Sequence, residues 1–270
     1  MDIININDDV KTGASVLLYC KPGVGKTYLL GRLPGKTLVI DTDRGSKVLR
    51  KQKDVKDVDV VYSSGMDQLS SHLAELEGKC IYDTVCIDTL TEVREAFLTH
   101  LSMQNLTKDG KPMCAPQQGD YLRASYTLQN VLRSYKNLVE KGVNIIFTAW
   151  ETPFTITTDS GVQIDQLIPM VGSKNGADAQ KICGMVDTVG YLMKDPNSEA
   201  RSIMFESKDG KFYAKDRAGR KGCKPEELLN DNNTSEKVVE VPNTGTDAKA
   251  KTASPVTGQD KNNNKIEGEK

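Results

Sequence analysis

Residues 15–30 read SVLLYCKPGVGKTYLL, and this stretch decides the fold because an apolar run leads into a glycine-rich loop and then a helix start. Ala14–Tyr19 predicts a buried strand, and Tyr28–Leu30 predicts the first turn of a helix that Pro34-Gly35 ends early. Glycines allow backbone N–H groups to converge on phosphate oxygens. The sequence therefore predicts a site for a nucleoside triphosphate, with ATP and Mg²⁺ as the expected ligands.

The loop matches the pattern G-x-x-x-x-G-K-[ST] except that Cys20 occupies the first glycine position. That position mainly allows the tight exit from the strand, so a small residue there leaves the phosphate contacts intact. Lys26 is expected to reach the β and γ phosphates, and the Thr27 hydroxyl to coordinate magnesium. The nucleotide is expected to contact Lys21, Pro22, Gly23, Val24, Gly25, Lys26, Thr27 and Tyr28.

Acidic and hydroxyl residues follow three other strand candidates. Asp88 ends the apolar run that begins at Thr84, as a magnesium-holding Walker B carboxylate does, and Thr89 is expected to cap the next helix or touch the water shell of the metal. After the second strand, Asp43 is the candidate general base, and Asp41 a supporting acid. After the fifth strand, Thr148 is a candidate sensor of the γ-phosphate, whereas Trp150 is expected to pack under a hairpin.

Short apolar runs alternate with helical patterns through most of the chain. Such alternation predicts βαβ units and hence an α/β fold with a mostly parallel sheet. The predicted strands are Ala14–Tyr19, Thr37–Ile40, Val58–Tyr62, Tyr82–Ile87 and Asn144–Ala149, and the predicted helices after the loop are Gln68–Leu76, Thr91–Asn105 and Asp120–Glu140.

The C-terminal part of the folded region changes character. Two antiparallel hairpins are predicted there, with Met185–Met193 as a strand between them. The hairpins pair Phe154–Thr157 with Gln166–Met170 around residues 159–161, and Arg201–Ser207 with Lys211–Lys215 around residues 208–210. From residue 230 onward no aromatic residue occurs, so residues 1–229 are predicted as one domain and 230–270 as a disordered tail.

Composition excludes several function classes. The formal net charge of −1 gives no global attraction to nucleic acid or membranes, although local basic patches remain compatible with it. Six cysteines and two histidines lack zinc-ligand spacing, and no signal peptide or membrane-length apolar run is seen. A soluble protein of the cytoplasm is expected, which means the host cytoplasm if the chain is viral, with no membrane partner.

The order of these motifs resembles the core of RecA-type ATPases over roughly residues 12–220. More narrowly, the chain is similar to small phage-type P-loop ATPases with a single RecA-like core, an AAA-ATPase family associated with single-strand annealing and recombination. Two segments carry this narrower resemblance. Residues 41–46 read DTDRGS, matching D-T-[DE]-x-G-S, and residues 215–217 read KDR.

The resemblance implies further roles. Asp43 would activate water, although RecA itself has the longer Glu there. Lys215 and Arg217 would reach the ATP of a neighbouring subunit, which requires a homo-oligomer. Two loops, Leu106–Gln118 and Val171–Gly184, would contact single-stranded DNA, although neither offers an aromatic residue for stacking on bases. The lysines of these loops are Lys108, Lys111, Lys174 and Lys181.

Three functions remain open from the sequence. The first is an ATPase acting on single-stranded DNA in phage-type recombination, annealing or replication. The second is a nucleotide-dependent switch or loader that acts on a protein partner without DNA and uses the tail for contact. The third is a small-molecule P-loop kinase, although arginines for a closing lid are sparse between Val58 and Glu140.

Overall fold

Ten strands of the described residues form the central sheet. The computed structural model describes residues 12–157, 160–172 and 176–230. The strands are β1 (Ser15–Cys20), β2 (Thr37–Asp41), β3 (Val58–Tyr62), β4 (Thr84–Asp88), β5 (Asn144–Thr157), β6 (Gln163–Pro169), β7 (Thr188–Lys194), β8 (Arg201–Met204), β9 (Lys215–Asp216) and β10 (Gly222–Cys223). The predicted tail, residues 230–270, lies outside the described residues except for Asn230, and its disorder and the domain boundary stay predictions.

Five α-helices accompany this sheet within the described residues. They are α1 (Lys26–Leu30), α2 (Met66–Gly78), α3 (Leu90–Gln104), α4 (Gln118–Lys136) and α5 (Ala177–Met185), and three short 3-10 helices cover Gly45–Lys51, Val139–Lys141 and Pro225–Glu227. The early end of α1 was predicted. The predicted helix Asp120–Glu140 is α4, which begins at Gln118 and ends at Lys136 before a short 3-10 turn.

The sheet runs in the order β10-β8-β7-β1-β5-β4-β2-β3, with β6 paired to β5 and β9 to β7. The six strands from β7 to β3 are mutually parallel, and β8 and β10 add antiparallel pairs at one side. The predicted α/β class with antiparallel strands at its C-terminal end is therefore confirmed. Parallel neighbours bring the carboxyl ends of β1, β2, β4 and β5 to one edge, where α/β proteins bind ligands.

Burial explains why the central strands have nearly continuous apolar sequences. Every residue of β1, β2 and β4 is buried, because helices cover both faces of this part of the sheet. On one face α2 and α4 pack together, and the Tyr135 hydroxyl donates to the Leu69 carbonyl across 2.8 Å. On the other face, Leu29 and Leu30 of α1 pack against β1 and Ile203 of β8.

The first predicted hairpin is confirmed, and the second is wrong. β5 continues to Thr157 and pairs antiparallel with β6; residue 159 of the predicted turn lies outside the described residues. The two segments of the second predicted hairpin do not pair with each other but with β7. β8 pairs with Tyr191–Lys194 of β7, and β9 pairs with Thr188–Val189 of β7. Because β1 occupies one edge of β7, these two short strands share the other edge.

The predicted mobile loop Val171–Gly184 is largely helix α5. Its residues Ala179, Ile182 and Cys183 recur at helical spacing and are buried against the core, so the segment packs as a helix and not as the loop that the resemblance implies. Residues 173–175, including Lys174, lie outside the described residues. No helix in the described ranges is both long and apolar enough to span a bilayer.

Candidate nucleotide-binding site

The glycine-rich loop leaves β1 at Cys20 and enters α1 at Lys26. Gly23 and Gly25 have φ angles of 84° and 118°, in the region that side-chain-bearing residues rarely adopt. The Lys26 ammonium group is buried and donates to the Cys20 carbonyl at 3.1 Å and the Lys21 carbonyl at 3.4 Å. The lysine is therefore held beside the loop by neutral acceptors that an incoming phosphate can replace.

The cysteine at the first glycine position is compatible with this geometry. Cys20 is fully buried, and burial raises the pKa of its thiol to about 11. The thiol therefore stays neutral near pH 7 and does not compete with phosphate for the charge of Lys26. Its sulphur lies 3.6 Å from the Lys26 Nζ, within the range of a weak hydrogen bond.

Asp88 at the end of β4 is fixed by two hydroxyl groups. The Thr27 hydroxyl donates to its Oδ2 at 2.6 Å, and the Thr148 hydroxyl donates to its Oδ1. The carboxyl is only 1% exposed, and burial raises its pKa, while both hydroxyl groups and Lys26 act in the opposite direction. The predicted metal pair, Thr27 and Asp88, is thus in direct contact, and Thr148 orients the carboxylate.

Asp41 and Asp43 have separate tasks in the loop after β2. Asp41 is buried, and its carboxylate accepts from the backbone N–H groups of Asp43, Gly45 and Ser46, which fixes the start of the 3-10 helix. The supporting role expected for Asp41 matches this position. Asp43 keeps an exposed face and accepts from the Gly45 N–H at 2.8 Å.

The ionisation of Asp43 is linked to that of its neighbours. Desolvation by the surrounding loop, followed by the charge of Asp88, raises the pKa of Asp43 to about 6. A Cβ on Gly45 would lie 2.7 Å from Asp43 Oδ1 and 3.6 Å from the Thr27 hydroxyl, which places Asp43 beside the predicted metal pair. A carboxyl with a pKa near neutrality suits a general base.

The remaining hydroxyl groups stiffen this edge of the sheet. Thr89 accepts from the N–H of Glu92 at 3.2 Å, so the prediction that it caps the next helix is confirmed. Thr42 donates to the carbonyls of Asp88 and Thr89, and so joins the ends of β2 and β4. Trp150 is partly buried, and its backbone N–H and carbonyl bind Thr91 and Met170, so its backbone anchors the start of the β5–β6 hairpin.

The sequence comparison agrees with this geometry. A family model described as an AAA domain matches residues 12–218. The chain belongs to this AAA-domain family. The match spans the glycine-rich loop and Asp88, so the AAA domain is nucleotide-binding and of the P-loop ATPase type. A search of curated proteins finds no match.

Lys215 and Arg217 of the AAA domain are not brought to this site. Arg217 pairs with Asp187 at 2.8 Å, and Asp187 accepts from the hydroxyl of Ser15, at the amino end of β1. The loop begins five residues later at the other end of β1, about 17 Å away at about 3.3 Å per residue. Lys215 contacts the Gly184 carbonyl at 3.4 Å, and burial lowers its pKa. Arg217 is therefore remote from the ATP site of its own chain, and the Lys215 ammonium group binds a carbonyl elsewhere.

Arg201 is an AAA-domain residue at the loop that sequence reasoning missed. Its Nε donates to the Val24 carbonyl at 2.9 Å, and its guanidinium carbon lies 4.1 Å from the centre of the Tyr28 ring. No motif marks this arginine. The indication is structural: a Cβ at Gly25 would lie 2.6 Å from Arg201 Nε.

Proposed function

We propose that this AAA domain is a Mg²⁺-dependent ATPase that acts on single-stranded DNA in phage-type recombination, annealing or replication. The contact between Thr27 and Asp88, with Lys26 and Asp43 beside it, carries the ATPase part of this proposal. It joins residues from β4 and the glycine-rich loop at the edge of the sheet where nucleotides bind in α/β folds. Each of these side chains has a charge or hydroxyl group suited to phosphoryl transfer.

The residues present fit a magnesium ion that arrives with the nucleotide. Mg²⁺ prefers oxygen ligands and is usually held by one or two carboxylates together with phosphates and water. Thr27 and Asp88 supply a hydroxyl and a carboxylate oxygen in contact. In the described part of the chain, no group of three or more His, Cys, Asp or Glu side chains could hold a metal alone. When bound, the ion would neutralise charge on the β and γ phosphates.

The protein side of hydrolysis follows from the same contacts. Lys26 exchanges its carbonyl partners for phosphate oxygens, and the loop N–H groups bind the same phosphates. Thr148 keeps Asp88 oriented through a hydrogen bond to Oδ1. Asp43, once deprotonated, accepts the proton of the attacking water.

Exposed cations and aromatic rings support the DNA part. Lys108 and Lys111 are exposed in the turn between α3 and α4, and Lys181 is exposed on α5. Tyr121 and Tyr126 are 42% and 56% exposed on α4, immediately after that turn. Cations bind the DNA backbone and aromatic rings stack on bases, so α4 supplies the aromatic residues that the loop itself lacks.

A homo-oligomer is part of the proposal. Arg217 lies at the amino end of β1, remote from the ATP site of its own chain, and its side chain is 63% exposed. An exposed cation at this place serves hydrolysis only if it reaches a neighbouring subunit, where it would stabilise charge on the γ-phosphate.

A loader that binds a protein partner is the second candidate. Met103, Leu106 and Leu122 are each about 60% exposed near the connection of α3 and α4. Exposed apolar side chains close together are typical of protein-binding surfaces. Nothing in the described structure specifically favours the small-molecule kinase.

The deciding experiment measures ATP hydrolysis with Mg²⁺, with and without single-stranded oligonucleotides, at low and physiological salt. Stimulation by the single strand is expected, strongest at low salt because phosphate contacts weaken as salt rises. The Lys26→Ala variant controls for contaminating ATPases and should show no turnover. Hydrolysis that ignores DNA, together with no oligonucleotide binding at low salt, would transfer the proposal to the protein-partner loader. Absence of any ATP binding by the wild type would overturn both.

A further inference from the structure

Arg201 reaches the glycine-rich loop because of how β8 pairs. The first residue of β8 is opposite Lys194, the last residue of β7. β7 is parallel to β1, so the carboxyl end of β7 lies on the same side of the sheet as the loop that follows β1. A strand that pairs antiparallel with the carboxyl end of β7 must begin next to that end. The antiparallel pairing of β8 with β7, which the sequence did not predict, therefore places Arg201 beside the ATP site.

The charge of Arg201 is not neutralised by protein. Within residues 12–157, 160–172 and 176–230, no carboxylate lies within ion-pair distance of its guanidinium. In the same ranges its hydrogen bond is the one from Nε to the Val24 carbonyl. A guanidinium has five N–H donors in a planar fork, so the four on Nη1 and Nη2 stay available for an anion.

Arg32 provides a contrast on the same aromatic ring. Its guanidinium carbon lies 3.5 Å from the centre of the Tyr28 ring, but its donors are used by protein groups. They bind the Tyr28 carbonyl, the Gln52 side chain and the carboxylate of Asp54. Both guanidinium groups lie over the Tyr28 ring, but the charge of Arg32 is paired with Asp54, whereas Arg201 has no carboxylate partner in the described residues.

We propose that Arg201 binds the phosphate chain of the nucleotide held by its own subunit, an inference that rests on the proposed nucleotide-binding function. Val24 and Tyr28 hold the guanidinium in place before the ligand arrives, which reduces the entropy lost when it binds phosphate. The same contact links nucleotide occupancy to the β7–β8 hairpin. Arg201 is thus a cation supplied in cis, distinct from Arg217 at the other end of β1.

The adjacent glycine fits this assignment. A Cβ at residue 25 would lie 2.6 Å from Arg201 Nε and 3.1 Å from Nη2. The absence of a side chain therefore lets the guanidinium approach the loop backbone closely, where the phosphates are expected. An Ala at this position would displace the arginine as well as strain the backbone at φ 118°.

The test measures phosphate binding without a base. A fluorescent ADP analogue serves as reporter in the presence of Mg²⁺, and inorganic tripolyphosphate displaces it. The proteins are the wild type, Arg201→Ala, Arg201→Gln and Arg201→Lys, with Arg133→Ala as the matched control because Arg133 is exposed on α4. Thermal unfolding without ligand monitors folding, and the Gln and Lys variants carry the test if the Ala variant does not fold.

We expect the Ala and Gln variants to bind tripolyphosphate about 10- to 100-fold more weakly, since hydrogen bonds to charged groups contribute about 1.5–3 kcal/mol. The Lys variant should retain part of the affinity, and Arg133→Ala all of it. Unchanged tripolyphosphate affinity in a folded Arg201→Gln variant would overturn the inference. This holds even if that variant binds the fluorescent ADP analogue more weakly. If the wild type binds neither ligand, nucleotide binding itself fails, and the inference fails with it.

Discussion

The Thr27 hydroxyl lies 2.6 Å from a carboxylate oxygen of Asp88, although the two residues are 61 positions apart in the chain. The contact forms because β1 and β4 are both neighbours of β5, and their carboxyl ends reach the same edge of the sheet. Thr148, from β5 between them, holds the second oxygen of Asp88. Three strands therefore define the position of one buried carboxylate.

Asp88→Asn should abolish magnesium-dependent hydrolysis while preserving the fold. The amide has the same shape as the carboxylate but lacks its charge, so turnover should fall by at least about 100-fold, because a bound metal supplies several kcal/mol of transition-state stabilisation. Steady-state ATPase rates over a range of Mg²⁺ concentrations measure this loss.

The matched control for this prediction is Thr27→Ser, which retains the hydroxyl and should retain most of the turnover. Since burial already raises the pKa of Asp88, loss of its charge should not lower the unfolding midpoint of the ligand-free protein. Asp88→Asn turnover equal to that of the wild type would remove Asp88 from the metal site.

Asp43→Asn tests the pKa of about 6 assigned to this carboxyl. Its ordinary value is 3.8, so the folded state binds the proton more tightly than the unfolded state does. Stability therefore falls as pH rises from about 4 through 6, and the loss persists above pH 6. The Asn variant, which cannot ionise, should unfold at a higher temperature than the wild type at pH 7.5, with the difference shrinking near pH 4.

The same variant should lose about 100-fold or more in hydrolysis, because a general base contributes on that order. Wild-type turnover should rise with pH through about 6, as the Asp43 carboxyl loses its proton. Thermal melts and ATPase rates between pH 4 and 8 check both effects. Full turnover by Asp43→Asn would exclude Asp43 as the base, whereas an equal melting difference at all pH values would exclude the raised pKa.

The sequence predicts features set by neighbouring residues better than it predicts pairing between distant strands. The loop at residues 20–27 and the buried strand ending at Asp88 are each a short continuous stretch of sequence. Neighbouring residues are therefore enough to predict both features. The pairing of β8 and β9 with one edge of β7 depends on contacts between distant segments, and adjacency in sequence favoured a false hairpin. Arg201 was missed for the same reason, since only that pairing brings it to Val24. Helix α5 was missed because the segment was matched to a DNA-binding loop of RecA-type ATPases, whereas three apolar residues at helical spacing bury it against the core.

Arg217→Ala tests whether this arginine acts on a neighbouring subunit. Its present partner is Asp187, in an exposed pair that contributes about 1 kcal/mol or less, so the fold should persist. ATP binding should stay intact while hydrolysis falls about 1,000-fold or more, the effect of an arginine finger supplied in trans. Nucleotide binding and ATPase assays on the same preparation separate the two quantities.

Mixing provides the control for the Arg217 prediction. Arg217→Ala keeps an intact ATP site, and Lys26→Ala keeps an intact Arg217, so mixed oligomers should recover part of the turnover that each variant lacks alone. Lys211→Ala removes an exposed cation that pairs with Asp209, and should change nothing. No recovery on mixing, with both variants folded, would argue against action between subunits.

Tyr126→Ala tests whether the exposed face of α4 stacks on bases. The side chain is 56% exposed, so its removal should cost little stability. Stacking of a base on an aromatic ring contributes about 1–3 kcal/mol, which predicts that single-stranded DNA binds about tenfold more weakly or worse. Fluorescence anisotropy of labelled oligonucleotides measures this affinity, and Tyr126→Phe is the matched control because it keeps the ring. If both variants bind DNA as the wild type does while Leu122→Ala disrupts assembly with another protein, the α4 face is a protein-binding surface rather than a DNA-binding one.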